Sequence, residues 1–529
     1  MTEPPRAAGT QSKSGAIVLQ SGARLFGVLL QFFFLRACLE WLGKGYDGYL
    51  FAVSCAAFIG FADLGILVAT QRFMGEAMAM GDLVRVATLY RFASRIYPIL
   101  AGIALASFIG FAFAYDALWR TKSTDPHTLL LVLCGVQAAT LVLINPATTI
   151  AYCLGRFREV AGIYAIQAAL MPLIGFVVVW YYRTPESLAA STLAGACLTA
   201  FLAYRMCGAK ALPPPRKLDR QEVRNVLQMG ARAYPNTITT IVGNNADRIQ
   251  VERAGMSGSL VAYSVAGRVP EQIAQLLAPI GNTVYPELTR LAPTDDVAFA
   301  RAMERNVRFT LVLTACIVLV PCAFSECILR TWLGTHSYSL LPAGAVLVMP
   351  LMALYRALEL VYSVISAAFF AKGVPQLVLP FSIFNATVTV FATVPMYRWQ
   401  GIAGVGLMNA LIDVAQLVPT VLILKRFVTP QVSVREISSS FICILGLAIA
   451  ITFGLHYGVD RLLSTWHPIV GFVLAPGCGL ATVVLMTRLR LCAVPERVAA
   501  RAMSFRLGRL PIGAWLLGLP VVASLERPE

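Results

Sequence analysis

Gly230-Ala231-Arg232-Ala233-Tyr234-Pro235 and Gly255-Met256-Ser257-Gly258-Ser259-Leu260-Val261-Ala262 decide the fold, because parts of both occur earlier in the chain. The triplet Gly22-Ala23-Arg24 repeats the start of the first stretch. The segment Gly45-Tyr46-Asp47-Gly48-Tyr49-Leu50-Phe51-Ala52 shares the pattern G-x-x-G-x-L-x-A with the second. The two members of each pair are roughly 210 residues apart, and a weaker match pairs Gly155 with Gly373 at a similar offset. Matches in the same order at nearly constant offset predict a duplicated bundle.

The composition predicts that the duplicated elements are membrane helices. Of the 529 residues, 58% are hydrophobic and only 13% are charged, whereas a soluble domain carries about 25% charged residues. Apolar runs of about 20 residues, the length that crosses the hydrocarbon core of a bilayer, recur along the chain. We therefore predict an all-α polytopic membrane protein of about 14 transmembrane helices. The second, seventh, eleventh and twelfth predicted spans are residues 49–69, 227–251, 375–396 and 402–424.

The charge of +16 does not indicate a nucleic-acid partner. The basic residues lie mostly in short loops between apolar runs, and assigning these loops to alternate sides places most of them on one side. This is the positive-inside pattern, and it predicts that both termini are cytoplasmic. The cysteines show no C-x-x-C pattern, and no metal or cofactor site is predicted.

The predicted domains follow the duplication. The longest polar connection contains Pro213-Pro214-Pro215 and falls where the repeat begins again, so it is interpreted as a linker between two pseudo-symmetric six-helix lobes. The predicted segments are a disordered N-terminus (1–15), an N-lobe (16–207), a cytoplasmic linker (208–226), a C-lobe (227–424), two extra helices (425–486) and a basic tail (487–529). Within the tail, the apolar run from Leu510 to Leu525 is interpreted as lying either at the membrane interface or inside the membrane.

Charged residues inside the apolar runs are the candidate functional residues, because each costs about 2.5–3.5 kcal/mol at a membrane helix centre on insertion scales. Residues three or four apart share a helix face. Four arginines therefore have a local acid and are open to a purely structural interpretation: Arg36 with Glu40, Arg248 with Glu252, Arg268 with Glu271, and Arg356 with Glu359.

Arg24 and Arg232 differ because neither has an acid three or four residues away. They occupy equivalent positions on the first helix of each predicted lobe, near its cytoplasmic end. Either they snorkel to the headgroups, or they lie on facing walls of a cleft, where two guanidiniums suit a phosphate or diphosphate. Asp247 and Asp413 lack local basic partners and are candidates for ion coupling.

Several loose motifs, in order and at suitable spacing, resemble the Wzx-type polysaccharide flippases of the multidrug, oligosaccharidyl-lipid and polysaccharide (MOP) exporter superfamily over roughly residues 15–430. The motifs are Leu42-Gly43 with Tyr46 and Tyr49, Ala62-Asp63-Leu64-Gly65-Ile66 with Gln71-Arg72, Asn245-Ala246-Asp247-Arg248 before Gly255, Ala262-Tyr263-Ser264-Val265-Ala266, Lys372-Gly373-Val374-Pro375, and Gly401-Ile402-Ala403-Gly404-Val405-Gly406.

This resemblance implies a non-enzymatic transporter with a MATE-like fold in a bacterial cytoplasmic membrane. It implies that an oligosaccharide on an undecaprenyl-type polyprenyl diphosphate is flipped from the inner to the outer leaflet by alternating access, for export of surface polysaccharide. The implied partners are membrane lipids, a polysaccharide polymerase and chain-length proteins. The resemblance assigns substrate binding to Arg24 and Arg232, with Arg248, Arg268 and Arg356 as weaker candidates.

Three alternatives remain open. A cation-coupled multidrug exporter of the same fold normally presents acids to cationic drugs, a role open to Asp247 and Asp413. A flippase for the peptidoglycan lipid precursor would share the fold and the basic residues. A membrane-embedded transferase or polymerase would need a catalytic pair of acids or a histidine, and none stands out.

Overall fold

All regular secondary structure among the residues that the computed structural model describes is helical. These residues are 13–43, 45–118, 127–154, 156–206, 212–254, 258–277, 284–285, 288, 291–292, 295–339, 341–342, 344–427, 433–466 and 468–488. The predicted basic tail lies almost wholly outside them, as do residues 1–12. The predicted all-α membrane fold is confirmed.

The described residues of the first half of the chain form eight helices. They are α1 (Lys13–Leu42), α2 (Gly45–Ala56), α3 (Ile66–Ala79), α4 (Leu83–Leu118), α5 (Thr128–Cys153), α6 (Phe157–Tyr182), α7 (Pro185–Met206) and α8 (Arg220–Ala254).

The second half continues with α9 (Ser259–Leu277), α10 (Asp296–Thr314), α11 (Ser325–Ser339), α12 (Ala345–Ala371), α13 (Leu379–Phe427), α14 (Val434–Leu455), α15 (Arg461–Trp466) and α16 (Pro468–Arg488).

Nine helices of the described chain are long and apolar enough to cross a membrane. Helix α13 contains two of the predicted spans, 375–396 and 402–424, and non-helical backbone at Gln400 and Gly401 separates its two halves. The predicted second span, 49–69, is likewise interrupted by a 3₁₀ turn (Ala57–Asp63) and by left-handed backbone at Leu64 and Gly65. Helix α8, predicted to span the membrane at 227–251, is not among the nine.

The contacts divide the chain into two compact units. The first comprises Met1–Ser264 and Val378–Val405, and the second comprises Val265–Leu377 and Gly406–Glu529. In the first unit α1 packs on α6, and α5 packs on α4 and α7. In the second, α10 packs on α12 and α11 packs on α16. The two predicted six-helix lobes are defined by the sequence duplication and not by these contacts, so they stay a prediction.

Asp47 joins the two copies of the G-x-x-G-x-L-x-A element inside the first unit. Its side chain is 1% exposed. One carboxylate oxygen accepts the backbone N–H of Gly258 at 2.8 Å, and the other accepts that of Val261 at 3.0 Å. These amides lie at the N-terminus of α9, where the first N–H groups have no partner within the helix and carry the positive end of its dipole. An acid in the first copy therefore caps the helix of the second.

Asp460 makes a comparable contact in the second unit. It is fully buried and accepts the backbone N–H groups of Glu326 at 2.9 Å and Cys327 at 3.0 Å, in the first turn of α11. The ring of His456 lies 3.1 Å from the same carboxylate. Each unit thus contains a buried aspartate that satisfies the amides of a helix start, as buried backbone donors require.

Candidate functional site

Helix α8 is the most polar long helix of the first unit and carries three of the predicted site residues, Arg232, Asp247 and Arg248. Two amide side chains of α8 contact the first half of α13. Asn236 accepts a hydrogen bond from Ser382, and the side-chain amide of Gln250 donates to the carbonyl oxygen of Val390 at 2.8 Å. A polar helix among apolar ones is expected where it lies against other polar groups or a wet cavity.

Arg232 is exposed, and within the part of the chain that the structure describes it has no hydrogen-bond or ion-pair partner. Its position is fixed by close backbone packing two residues earlier. Gly230 lies against the left-handed turn at Leu64 and Gly65, near enough that a Cβ on Gly230 would be 3.1 Å from the carbonyl oxygen of Leu64. A guanidinium without an acid partner retains all its donors for an anion.

Asp247 is 5% exposed and accepts a hydrogen bond from the hydroxyl of Tyr263 on α9 at 2.6 Å. The same carboxylate accepts the backbone N–H of Arg248 at 2.7 Å. The sequence analysis found no local basic partner for Asp247 and did not anticipate the tyrosine. Asp247 is thus anchored to a neighbouring helix of the first unit, and Arg248 is half-buried beside it.

Arg24 lies on α1, the first helix of the first unit. Its side chain is outside those that the structure describes, so its predicted position opposite Arg232 stays a prediction.

The second unit brings Arg268, Arg356 and Asp413 together in one charge cluster. The predicted local pairs are present, with Arg268 3.3 Å from Glu271 and Arg356 2.6 Å from Glu359. Arg356 also lies within electrostatic range of Glu271. We call these five residues the C-unit charge cluster: Arg268, Glu271, Arg356, Glu359 and Asp413.

Asp413 gives the C-unit charge cluster three carboxyl groups against two guanidiniums. It lies on the second half of α13 and interacts electrostatically with Glu359 and Arg356. Its Oδ2 atom is buried and has no hydrogen-bond partner among the described residues. Burying a charge without a partner is costly, so the surplus acid is suited to hold a proton or a cation. Among the described residues, no group of three or more His, Cys, Asp and Glu side chains is arranged to hold a metal ion.

Comparison with known proteins agrees with this architecture. Residues 127–340 match the family described as "Polysaccharide biosynthesis protein". The solved structure titled "Lipid II flippase MurJ, inward closed conformation" matches with a TM-score of 0.62 and 14% sequence identity, over 90% of this chain and 100% of that one. The chain has the fold of the MOP superfamily.

Two further solved structures agree with the MOP fold. One is an outward-facing multidrug resistance MATE family transporter of the MOP superfamily, with a TM-score of 0.55 and 16% identity over 77% of this chain and 94% of that one. The other is a MOP superfamily transporter from Pyrococcus furiosus, whose title reports a binding pocket of reversed polarity. It has a TM-score of 0.56 and 14% identity over 78% of this chain and 96% of that one.

No protein of curated function matches this chain significantly in sequence. The identities to the solved structures are low, so these likenesses establish the fold and leave the substrate to be argued from the residues. The predicted resemblance is confirmed at the level of the MOP fold, and the chain is a multi-pass membrane protein.

One arginine of the first unit is absent from the site residues predicted from the sequence. Arg253 lies at the end of α8, and its guanidinium is 5.6 Å from the ring centroid of Phe51 and 5.0 Å from that of Tyr115. Like Arg24 and Arg232, it has no acid three or four residues away in sequence. A search for arginines without an acid three or four residues away would have identified it, if the search had included residues just beyond the ends of the predicted spans.

Proposed function

We propose that this protein flips a polyprenyl-diphosphate-linked oligosaccharide from the inner to the outer leaflet of a bacterial cytoplasmic membrane by alternating access. The observation that carries the proposal is Arg232, an exposed guanidinium on α8 with no hydrogen-bond or ion-pair partner among the described residues, on a polar helix that the proposal places inside the membrane against the cleft. An unpaired cation inside a membrane is costly and marks a functional site. The match to a polysaccharide biosynthesis family and the flippase fold of MurJ support this substrate class.

Arg24 and Arg232 bind the diphosphate in this proposal. A guanidinium offers five N–H donors in a planar fork that matches phosphate oxygens and never loses its charge. Arg248 is half-buried beside Asp247 and is a weaker candidate. Arg268 and Arg356 are each paired with an acid and serve first to neutralise the C-unit charge cluster.

Asp413 couples the movement to an ion in this proposal, because it is the surplus acid of the C-unit charge cluster. Both termini face the cytoplasm, and no covalent bond is made or broken. A polysaccharide polymerase and chain-length proteins act on the product after it reaches the outer leaflet.

A cation-coupled multidrug exporter is the second candidate function. The buried, unsatisfied carboxyl oxygen of Asp413 favours it, as does the likeness of fold to MATE transporters. A cationic drug site requires acids without basic neighbours. Asp413 shares its cluster with Arg356, and this contact disfavours direct binding of a cation as large as a drug.

The leaflet distribution of lipid-linked oligosaccharide, measured in cells depleted of the protein, tests the proposal. We expect the lipid to accumulate facing the cytoplasm, with surface polymer lost. An unchanged distribution would overturn flipping, and drug uptake would then be measured. Accumulation of the peptidoglycan precursor alone would assign the protein to that lipid.

Variants then locate the binding residues. We expect Arg24→Ala and Arg232→Ala each to lower export at least tenfold at normal protein levels. Arg36→Ala is the matched control, because Arg36 lies on α1 with Arg24 but is paired with Glu40 at 3.0 Å. Normal export by both variants would remove these arginines from the site.

A further inference from the structure

Two helices of the second unit, α12 and the second half of α13, each carry three polar residues in a row. Successive members of each row are three or four residues apart, and this spacing places them on one face of their helix. We call the two rows together the polar seam: Glu359, Tyr362 and Ser366 on α12, and Asp413, Gln416 and Thr420 on α13. The proposed function uses only Asp413 for a role of its own.

The two rows lie beside each other because the helices pack in parallel. A Cβ atom on Gly406 would lie 3.4 Å from the Cβ atom of Leu351, and Asp413, two turns further along α13, interacts electrostatically with Glu359 on α12. The partners are 55 residues apart in the first pair and 54 in the second. A nearly constant offset means that the two rows advance together in the same direction.

Tyr362 connects the two rows. It interacts with Asp413 and with the side chains of Ser366 and Thr420. Ser366 and Thr420 are 54 residues apart in sequence, the offset that also separates Glu359 from Asp413. The polar seam is therefore continuous from Asp413 to Thr420, which is roughly 10 Å along the helix axis at 1.5 Å per residue.

The polar seam is buried, and part of its hydrogen-bonding capacity is unused. Gln416 is 4% exposed, and Thr420 is 1% exposed. The side-chain nitrogen of Gln416 and Oδ2 of Asp413 are buried and have no hydrogen-bond partner among the described residues. Internal water molecules commonly bind polar groups that the protein leaves unsatisfied. The two unsatisfied atoms, one helix turn apart in the same row, therefore favour bound water within the polar seam.

Hydroxyl groups and water can both donate and accept a hydrogen bond, so a chain of them can pass a proton from one member to the next. The hydroxyl of Thr420 donates to the carbonyl oxygen of Gln416 at 2.7 Å, and its oxygen remains able to accept. Together with Tyr362 and Ser366, Thr420 supplies three hydroxyl groups between Asp413 and the C-terminal part of α13. Rows of polar groups that lead to an acid inside a membrane are typical of proton relays.

The polar seam points from the middle of the membrane to its cytoplasmic side. Both α12 and α13 belong to helices that are long and apolar enough to span a membrane. The last turn of α13 contains Lys425 and Arg426, and basic residues at the end of a span favour the cytoplasmic side. At 1.5 Å per residue, Asp413 lies roughly 18 Å from Lys425 along the axis and Thr420 roughly 8 Å.

The arrangement favours a proton over a metal cation. Hard cations gather their oxygen ligands around one point, whereas the oxygen atoms of the polar seam are spread along two helices. Asp413 also lies within electrostatic range of Arg356. A sodium ion on Asp413 would keep its full charge beside that guanidinium, whereas a proton is bound covalently and neutralises the carboxylate.

We propose that the polar seam conducts protons between the cytoplasm and Asp413. A proton enters from cytoplasmic water, passes along the hydroxyl groups and bound water, and forms an O–H bond on the Asp413 carboxylate. The C-unit charge cluster, with three carboxylates and two guanidiniums, thereby changes from a net charge of −1 to 0. This inference rests on the ion-coupling role in the proposed function and deepens it, since it names the ion and its route.

Infrared difference spectroscopy tests the polar seam without any substrate. The full-length protein is placed in liposomes with its cytoplasmic side outward, and the absorbance of protonated carboxyl groups is followed after a drop in external pH. The band that is missing in Asp413→Asn belongs to Asp413. We expect this band to grow after the drop in pH and to be unaffected by sodium. A band that does not respond to pH, or that sodium abolishes at constant pH, would overturn the proposal.

Variants of the polar seam test the route. Thr420→Val and Gln416→Leu remove polar groups with little change in side-chain size, and each is expected to slow the growth of the Asp413 band at least tenfold while its final amplitude stays unchanged. The unchanged amplitude shows that the protein is folded and that Asp413 still takes up a proton. Ser366→Ala removes a third hydroxyl and is expected to act in the same direction. Wild-type rates in all three variants would overturn the route.

Thr482→Val is the matched control. Thr482 is a buried residue of α16 in the second unit, and its hydroxyl donates to the carbonyl oxygen of Cys478 at 2.8 Å, as that of Thr420 does to Gln416. Because Thr482 is not part of the polar seam, the rate in Thr482→Val should equal that of the wild type. An equal slowing in Thr482→Val and Thr420→Val would overturn the assignment of Thr420 to a proton route.

The leaflet assay separates this inference from the proposed function. Proton uptake by Asp413 is read in protein without substrate, and flipping is read from the distribution of the lipid-linked oligosaccharide in cells. Normal flipping in a protein whose Asp413 band does not respond to pH would overturn the polar seam alone. Rapid proton uptake that Thr420→Val slows, in a protein whose depletion leaves the lipid distribution unchanged, would support the polar seam and overturn the substrate.

Discussion

Gly65 and Gly230 are in backbone contact within the first unit, and a Cβ atom on Gly65 would lie 2.3 Å from the carbonyl oxygen of Gly230. Gly65 has a φ of +71°, a left-handed conformation that side chains rarely adopt. The contact joins two of the sequence motifs, since Gly65 belongs to Ala62–Ile66 and Gly230 begins the Gly-Ala-Arg triplet. Arg232 therefore lies two residues from a close backbone contact between α8 and the turn at Leu64 and Gly65.

Gly65→Ala is expected to destabilise the protein by about 2–5 kcal/mol. Left-handed backbone costs a non-glycine residue about 1–2 kcal/mol, and overpacking against backbone adds about 1–3 kcal/mol. The measurement is thermal unfolding of the purified protein in detergent.

Substitutions at two other glycines allow the cost of left-handed backbone to be measured separately from the cost of overpacking. Gly81 has a φ of +74° with open space around its Cβ position, so Gly81→Ala should lose only the backbone term, about 1–2 kcal/mol. Gly75 lies within α3 with nothing near its Cβ position, and Gly75→Ala should be neutral or stabilising by up to about 1 kcal/mol. A Gly65 variant no worse than the Gly81 variant would contradict the close contact.

The sequence predicted those features that depend on local spacing. Apolar runs identified the membrane helices, and acids three or four residues from arginines identified the pairs Arg268–Glu271 and Arg356–Glu359. The eleventh predicted span ends at 396 and the twelfth begins at 402, and the backbone between them is non-helical at Gln400 and Gly401. In each case the interaction forms within one helix or one turn, so spacing alone suffices.

Contacts between distant segments were not predictable in this way. Nothing near Asp47 in sequence indicates that it caps α9, and nothing near Asp247 indicates Tyr263 as its partner. The grouping of Arg356 with Asp413 arises only when α12 and α13 pack within the second unit. Helix α8 was predicted as an ordinary span, although its side chains hydrogen-bond to α13, Asn236 accepting from Ser382 and Gln250 donating to the backbone carbonyl of Val390.

Asp47→Ala is expected to destabilise the protein by about 2–4 kcal/mol, because two buried backbone N–H groups at the start of α9 lose their acceptor. Asp295→Ala is the matched control. Asp295 is an exposed N-cap that accepts two amides at 2.9 Å, and water can replace it, so about 1 kcal/mol is expected. Equal losses, measured by thermal unfolding, would contradict a special role for the buried cap.

Arg356→Gln is expected to destabilise the second unit by about 1–3 kcal/mol, because it leaves Glu359 and Asp413 without their nearest positive charge. The figure is below the 3–5 kcal/mol of a fully buried pair, since the Glu359 side chain is 38% exposed. Removing both partners, in Arg356→Gln with Glu359→Gln, should restore part of the loss.

The exposed pair Arg36–Glu40 is the control for this cycle. Both of its side chains are 46% exposed, so Arg36→Gln should change the free energy of unfolding by less than about 1 kcal/mol. If the double variant in the second unit were less stable than Arg356→Gln alone, the charge balance assigned to the cluster would be wrong.

Asp413→Asn is expected to lower gradient-driven flipping at least tenfold while binding of the lipid-linked substrate is retained. An asparagine resembles the protonated carboxyl group but cannot release a proton or hold a cation, so the C-unit charge cluster would lose its exchangeable charge. The measurement is flipping by the protein in liposomes under an imposed proton or sodium gradient, and the gradient that drives the wild type identifies the ion. Asp116→Asn is the control, because Asp116 accepts a hydrogen bond from Thr128 at 2.9 Å and belongs to the first unit. Wild-type flipping by Asp413→Asn under both gradients would remove Asp413 from the coupling step.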